Sequence, residues 1–394
     1  CYRSIGQAMR AGARVILLGG GDHGLRDVDG GGEYVGGGWQ NDGLTYGGTR
    51  QAPLIIATDP TSPVRARLHL PSTVSAGMRA TDDVGFVTLR GVHLVCGPGQ
   101  FGVVVSGTAS DIRIIDCIID GGPGGSDGSG GYTGVKVEGS REDGVDKRPT
   151  RVTVAYTIIF GQQFTPHTQG LYASNYGVLD VFNNVFWKCG KLGSQFDQAM
   201  YLVHGAPTRP RIIGNFIGMP GSAVIQGRGS DDAEFGWNVG FWFNTGIGIG
   251  HPMGYRDGVW SNARVHNNLL ADPRLDGTAP ARWFISHMAG RTNVMTHNVL
   301  RGFASPGGIG GIGGGDPLGP FAFMTGQDQR GGAENTPVGQ FAIRGTNASS
   351  ERSGVEWYAE LAARLSREHG QWNEGVHGTR QLIESVRART PAVN

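Results

Sequence analysis

The chain has 394 residues and carries 34 Lys and Arg against 33 Asp and Glu, so it lacks the basic surplus of a nucleic-acid-binding protein. Its 70 glycines far exceed the usual share of about 7%, but they alternate with Val, Ile, Leu and Phe runs that a disordered chain lacks. The uncharged stretch at residues 235–255 is interrupted by glycines, two Asn and a Pro, which makes it a poor membrane span. The composition indicates a folded protein with many tight turns and short strands.

The four cysteines are Cys1, Cys96, Cys117 and Cys189. They are too few for a disulfide scaffold in a chain of this length, and no CxxC or HxxxH spacing suggests a metal site. Cys96 and Cys117 are a candidate disulfide pair, but we favour buried free thiols. The sequence begins at Cys1 beside a helix-like segment, and we expect that a leader preceded it.

The first recognisable elements lie near the N-terminus. Residues 4–11 have the spacing of a short amphipathic helix, and residues 13–21 form an apolar run that ends in three glycines. A second apolar run, at residues 52–60, ends at a proline. These features predict a short amphipathic helix at residues 4–11, followed by two apolar segments.

A short phrase then recurs along the chain: an apolar pair, two or three variable residues, and another apolar pair. It occurs at residues 87–94, 112–119, 152–159, 179–186, 211–217, 235–239, 265–270 and 294–300. The residue before each closing pair is Val92, Cys117, Thr157, Asn184, Asn215, Asn238, Asn268 or Asn298. Successive positions in this series are 23 to 40 residues apart. A repeat of this length predicts a solenoid with one coil per repeat, in which the Gly- and Ser-rich residues 121–131 are a loop insertion.

Asparagine occupies the same position in five consecutive repeats, from Asn184 to Asn298. In coils stacked at the strand spacing of about 4.8 Å, each amide can bond its own turn and the neighbouring coils. A surface loop would not explain this shared phase. The pattern predicts an asparagine ladder.

Each coil also contains a second apolar strand between the ladder positions. These strands lie at residues 103–105, 135–137, 171–173, 200–202, 223–225, 247–249 and 283–285. Because side chains alternate along a strand, placing the apolar flanks inside puts Lys136, Tyr172 and Tyr201 outside. We expect these three residues to form one column on consecutive coils.

The N-terminal residues 4–21 resemble the pectate-lyase-like β-helix superfamily, whose coils commonly begin with a capping helix and a phrase like that of residues 13–21. Residues 52–60 resemble the second coil of that superfamily. The resemblance covers roughly residues 3–305 and implies a right-handed parallel β-helix, an all-β solenoid used mainly by polysaccharide-cleaving enzymes. We therefore expect a β-helix with an N-terminal cap and loop insertions over residues 1–345.

The C-terminal residues 346–394 have a different pattern. Trp357, Leu361 and Leu365, and then Leu382 and Val386, have helical spacing. Gly370 separates the two runs. We expect two helices that cap the coil or pack along it, since an open end of a β-helix is an aggregation edge.

Polar side chains gather around the expected outward column and are candidates for the site. Arg228 is suited to binding a substrate carboxylate through its guanidinium fork. Lys136, Tyr201 and His204 are alternative bases, and Tyr172 and His167 are alternative acids for a β-elimination. The remaining candidates for substrate binding are His167, Gln169, Asn175, Gln198, Gln226 and Trp242.

Two phrases in this region resemble motifs of β-helical polysaccharide enzymes. Residues 167–172 resemble an HGxY strand, and residues 198–201 resemble an HNxY strand with Gln198 where His is common. The resemblance implies that these strands face the substrate.

A glycoside hydrolase would need two carboxylates about 5–10 Å apart. Glu138, Asp197, Asp231 and Asp232 are the candidates for such a pair. Only Asp231-Asp232 and the phrase at residues 248–251 echo the motifs of β-helical polygalacturonases. Paired Asp residues in a loop are also common as solvated turns.

The sequence therefore favours a secreted, periplasmic or cell-surface enzyme that cleaves a polysaccharide, with a lyase acting on a uronate-containing glycan ahead of a glycoside hydrolase. The same pattern is also compatible with a non-catalytic glycan-binding or fibre-like β-helix and with a uronate epimerase. No cofactor is required; Ca²⁺ is an option for which Asp116, Asp120 and Asp127 would supply oxygen ligands. The sequence does not indicate the oligomeric state.

Overall fold

The computed structural model describes most of the chain up to residue 271 and several short strands beyond it. The described residues are 5–24, 27–28, 31–32, 47–70, 75–97, 99–121, 133–142, 145–161, 169–191, 197–203, 209–227, 232–241, 243, 245–249, 262–271, 283–287, 294–296, 299–301, 322–324 and 336–338. The expected C-terminal helices and the boundary at residue 345 lie outside them.

Three parallel sheets make up nearly all of the described structure. The first sheet contains Val15–Leu18, Leu54–Thr58, Gly85–Arg90, Ser110–Ile115, Arg151–Ala155, Val178–Phe182, Arg209–Ile213, Glu234–Gly236, Arg264–His266 and Val294–Thr296. The second contains Gly21–Gly24, Ala66–His69, His93–Val95, Ile118–Asp120, Ile158–Phe160, Val185–Trp187, Phe216–Gly218, Val239–Phe241, Leu269–Ala271, Val299–Arg301 and Thr336–Val338. The third contains Ala76–Ala80, Phe101–Ser106, Thr133–Glu138, Gln169–Ser174, Met200–Val203, Ala223–Gly227, Thr245–Ile249, Trp283–His287 and Ala322–Met324.

The remaining described elements are short. The helix Ile5–Arg10 precedes the first strand and buries Ile5, Ala8 and Met9, as expected of a cap. Two antiparallel hairpins interrupt the coils: Asp27–Val28 with Gly31–Gly32, and Ser140–Glu142 with Val145–Lys147.

The chain visits the three sheets in a fixed order, first, second, third, and then starts the next coil. Each strand pairs in parallel with its equivalents one coil before and one coil after, for example Val152 with Ile112 and Leu179. Connections between parallel strands are right-handed because strands twist that way. The fold is a right-handed parallel β-helix, as the sequence predicted.

Inward-facing side chains form continuous apolar columns in the core. On the first sheet one column runs through Ile56, Leu89, Ile114, Val154, Val181, Ile212, Phe235 and Val265, each at most 1% exposed. Because identical positions stack from coil to coil, each side chain packs against its equivalents above and below. The hydrophobic alternation of the sequence is therefore the direct cause of the elongated core.

The turn between the first and second sheets has one geometry in seven successive coils. Its first residue has a positive φ: Gly91, Asp116, Tyr156, Asn183, Gly214, Trp237 and Asn267, with φ between 53° and 72°. The next residue points inward and is buried in every case. Gly, Asn and Asp adopt this left-handed conformation most readily, which accounts for five of the seven residues.

The buried residues of this turn are hydrogen-bonded in a continuous stack. The Asn238 side chain accepts the backbone N–H of Asn215 at 3.0 Å and donates to Ile212 O at 2.8 Å and to Asn268 Oδ1 at 3.0 Å. Asn184 and Asn215 make equivalent bonds. Towards the N-terminus the stack continues through Thr157, whose hydroxyl accepts the Cys117 N–H at 3.3 Å. Asn298, the fifth predicted asparagine, lies outside the described residues.

The three cysteines among the described residues are free and buried, which confirms the preferred interpretation of their pattern. Burial raises the pKa of Cys117 and Cys189 to about 12 and that of Cys96 further. Neutral thiols fit the interior positions that these residues occupy. The described residues include no helix long and apolar enough to cross a bilayer.

We expect Asn238→Ala to lower the free energy of unfolding by about 2–4 kcal/mol, because it leaves buried donors and acceptors of Asn215, Ile212 and Asn268 without their partner. Chemical denaturation followed by circular dichroism measures this. Gln51→Ala, at an exposed turn, is the control and should change stability by less than about 0.5 kcal/mol. Equal effects of the two substitutions would show that the stack adds nothing to stability.

Candidate active site

Lys136, Tyr172 and Tyr201 form one column on the outer face of the third sheet, followed by Gln226. The strand register pairs Lys136 with Tyr172, Tyr172 with Tyr201, and Tyr201 with Gln226. All four side chains are half-buried, and the ring centroids of the two tyrosines are 5.9 Å apart at an interplanar angle of 56°. We call these four residues the polar column. Since strands stack at about 4.8 Å, Lys136 and Tyr201 are about 10 Å apart.

Gln169 faces outward beside the polar column because of a local irregularity at the start of its strand. A Cβ added to Gly170 would meet the core side chain of Phe186, so this position points inward, as does the following Leu171. Two consecutive inward positions leave Gln169 outside, in register with Thr133 and Phe101. Gly102 has the same orientation against Ile119 in an earlier coil.

Lys136 is held by two contacts on this face. Its Nζ is 2.6 Å from Glu138 Oε2 and 5.4 Å from the centre of the Phe101 ring. The side chains of Lys136 and Glu138 are 26% and 42% exposed, so both remain accessible to a ligand. Glu138, two residues along the same strand, partly neutralises the lysine.

Two of the predicted site residues lie beneath the surface. Gln198 is 1% exposed and its Nε2 donates to Gln226 Oε1 at 2.6 Å. Asp197 is fully buried, and its Oδ2 accepts the backbone N–H of Lys191 at 3.2 Å. In this conformation Gln198 orients Gln226 rather than presenting its own amide to solvent. Asp197 organises the turn that leads into the strand of Tyr201.

Other predicted residues lie at the edge where the third-sheet strands end. Asn175 follows Ser174 and donates from Nδ2 to Ser140 O at 3.2 Å, which ties the hairpin of residues 140–147 to the coil. Asp232 is exposed in the turn before the first-sheet strand Glu234–Gly236, with Oδ2 3.4 Å from Arg209 Nε. Glu138 is the last residue of its strand and reaches the same edge. Parallel strands bring their carboxyl ends to one side of a sheet, so Glu138 and Asn175 share an edge.

Several predicted residues lie outside the described part of the chain: His167, His204, Arg228, Asp231, Trp242 and Asp127. Of the calcium candidates that are described, Asp116 pairs with Arg65 at 2.8 Å in the turn between the first and second sheets, and Asp120 ends a second-sheet strand. Neither lies on the third sheet. Within the described ranges no group of three His, Cys, Asp or Glu side chains is placed to hold a metal ion.

Sequence reasoning missed Arg79 and Phe101 as members of this face. Arg79 is in register with Val104, which precedes Lys136 in the same column, and it is half-buried. The alternation of Ala76, Met78 and Ala80 would have identified Arg79 as outward. Phe101 could not be found this way, because the irregularity at Gly102 reverses the simple alternation.

Comparison with solved structures gives distant likenesses, whereas no family model and no curated protein sequence matches. The A-module of mannuronan C-5 epimerase AlgE6 from Azotobacter vinelandii is 10% identical over 86% of this chain and 93% of its own, with a TM-score of 0.36. The Agl-KA catalytic domain is 11% identical over 85% of this chain and 64% of its own, with a TM-score of 0.38. A PL6 family polysaccharide lyase from Pseudopedobacter saltans is 12% identical over 82% of this chain and 87% of its own, with a TM-score of 0.33.

We expect Lys136→Met to change the free energy of unfolding by less than about 1 kcal/mol, because the Glu138 side chain is 42% exposed and stays solvated when the lysine is removed. Arg65→Met is the contrasting variant. Its side chain is 13% exposed and its guanidinium donates to both Asp116 O and Asp116 Oδ1, so its removal should cost about 2–4 kcal/mol. Chemical denaturation of both variants measures the difference. Equal losses would mean that Lys136 is a structural residue.

Proposed function

We propose that this protein is a carbohydrate-active enzyme, a polysaccharide lyase that cleaves a uronate-containing glycan by β-elimination. The observation that carries the proposal is the polar column: a lysine, two tyrosines and a glutamine in register on four consecutive coils of one open face. A flat row of this kind suits an extended chain lying along the coils. Its span of about 10 Å from Lys136 to Tyr201 is on the scale of two sugar units.

β-Elimination needs three groups. A cation neutralises the C6 carboxylate of the uronate and stabilises the enolate that forms from it. A base removes the C5 proton, and an acid protonates the glycosidic oxygen at C4 as the C4–O bond breaks. The electron pair of the C5–H bond becomes the C4=C5 double bond, so the product is an unsaturated uronate and a new sugar hydroxyl.

The described contacts favour one division of these tasks. Lys136 is ion-paired with Glu138, which suits the role of the cation better than that of a base. The substrate carboxylate would share the ammonium with Glu138, whose side chain is half-exposed and able to move aside. Tyr201 and Tyr172 remain for the two proton transfers, with Tyr201 as base and Tyr172 as acid. Gln226, oriented by Gln198, and Gln169 then bind sugar hydroxyls.

The hydrolase reaction receives less support from the described residues. It needs two accessible carboxylates about 5–10 Å apart. Glu138 is accessible but ion-paired with Lys136, and Asp197 has no exposed surface, so these two do not form an accessible pair. Asp197 also precedes the strand of Tyr201, whereas Glu138 ends its own strand, so the two carboxylates lie at opposite ends of the sheet. Asp232 is engaged by Arg209 and by the Asn262 side chain.

The first experiment is absorbance near 235 nm during incubation with a panel of uronate polysaccharides, with and without Ca²⁺. A rise is expected, because the elimination product carries a conjugated double bond. We expect Tyr201→Phe and Lys136→Ala each to lower kcat by at least about 100-fold, the usual scale for removing a proton-transfer or charge-stabilising group. Circular dichroism verifies that both variants fold.

Matched controls separate the site from general effects of the substitutions. Tyr156→Phe also removes a tyrosine hydroxyl, but in a turn between the first and second sheets. Lys191→Ala removes an exposed lysine from the segment before the third-sheet strand Met200–Val203. Both should retain full activity. New reducing ends without a rise in absorbance would replace the lyase with a hydrolase. Changed uronate NMR signals without scission would indicate an epimerase, and binding without any reaction would indicate a non-catalytic β-helix.

A further inference from the structure

A cavity of about 570 Å³ opens on the first sheet, a different face of the coil from the polar column. Ile55 and Arg113 belong to one outward column, in register through Thr88. Phe86 and Asp111 occupy equivalent positions in adjacent strands, both with φ in the left-handed region. Arg50 and Arg151 complete the charged part of the lining. The cavity therefore draws its wall from several stacked coils and from the turns that lead into them.

The lining of this cavity is strongly cationic. Three guanidinium groups, those of Arg50, Arg113 and Arg151, face it against the single carboxylate of Asp111. Asp111 Oδ1 lies 3.7 Å from Arg151 Nη1, and the Arg151 side chain is 56% exposed, so this ion pair is weak. Within the part of the chain that the structure describes, Arg50 and Arg113 have no ion pair. Two forked donors are thus available to an anionic ligand.

The rest of the lining is suited to a sugar ring. Phe86 and Ile55 give the cavity an apolar side, and the hydroxyls of Thr88 and Thr150 are the neutral polar groups. Aromatic and aliphatic side chains pack on the C–H face of a ring, while arginine forks bind its carboxylate. The volume lies within the range of about 300–1,000 Å³ that is usual for small-molecule sites.

We propose that this cavity is a second glycan site, which binds one acidic sugar residue of the polysaccharide away from the polar column. The anionic character of the ligand follows from the arginines of the cavity, whereas its identification as a sugar acid rests on the proposed function. The site is non-catalytic: it tethers the glycan to the enzyme and raises its local concentration at the third sheet.

Calorimetric titration of the 394-residue chain tests the proposal. The probes are saturated tetrasaccharides of galacturonate, mannuronate, guluronate and glucuronate, and the background is Tyr201→Phe, which prevents turnover. We expect two binding events, of which the double variant Arg50→Ala/Arg113→Ala weakens one by at least about 10-fold, as loss of two charge-assisted contacts requires. Lys136→Ala should weaken the other event and leave this one intact.

The control is Arg264→Ala, which removes an exposed arginine from the first sheet several coils away, and it should leave both events unchanged. Neutral tetrasaccharides should not bind in the cavity, and inorganic sulfate should bind at least about 10-fold more weakly than the best uronate. Equal binding of sulfate, or of a neutral glycan, would refute a sugar-acid site.

The two proposals fail in distinguishable ways. If uronate glycans are cleaved but the double arginine variant binds them as tightly as the protein with both arginines does, the cavity proposal is wrong and the lyase proposal stands. If no glycan is cleaved but acidic tetrasaccharides bind through Arg50 and Arg113, the lyase is wrong and the cavity stands. Absence of both cleavage and arginine-dependent binding refutes both.

Discussion

The in-register stacking of equivalent coils is the constraint on which the rest of this structure depends. Backbone bonds join each strand to its equivalents, and the buried turn residues add a second set: Cys117, Thr157, Asn184, Asn215, Asn238 and Asn268 are linked from one coil to the next. A one-residue slip would bury the outward side chains and expose the inward ones. The amide stack opposes such a slip, since it satisfies its donors and acceptors only in the observed register.

Stacking also explains how residues far apart in the sequence become neighbours on the surface. Lys136 and Tyr201 are 65 positions apart in the numbering of the chain, yet two coil steps join them. The loops between strands vary in length, but they leave the register unchanged. Residues at the same strand position therefore form rigid columns, and a site built on a column needs no loop to position it.

The features of this structure that could be predicted from the sequence are those set by the length and pattern of its repeats. The apolar pairs and the shared asparagine phase predicted the coils, the turn position of Asn184 to Asn268 and the outward direction of Lys136, Tyr172 and Tyr201. Contacts between side chains were not predictable, because the alternation along a strand shows on which face a side chain lies but not which neighbours it contacts. Local packing determines three such contacts: the Lys136–Glu138 ion pair, the hydrogen bond of the buried Gln198 to Gln226, and the hydrogen bond of Asn175 to the hairpin. The cavity was missed because Arg50, Arg113 and Arg151 come from three separate segments of the chain.

The three faces of the coil differ in what they offer to a ligand, and this difference favours the third sheet as the place for chemistry. On the first sheet beyond the cavity, outward charges pair with each other: Arg211 Nε donates to Asp180 Oδ1 at 2.8 Å, which raises the pKa of Arg211, and His266 Nε2 lies 3.0 Å from Glu234 Oε1. On the second sheet, the positions beside the inward column become apolar and buried from Ile158 through Val185, Phe216 and Val239 to Leu269. The third sheet instead keeps half-exposed tyrosines and a lysine in line across consecutive coils. Phenol and ammonium groups held in this way, on a face where an extended glycan can lie, suit the proton abstraction beside a carboxylate that we propose.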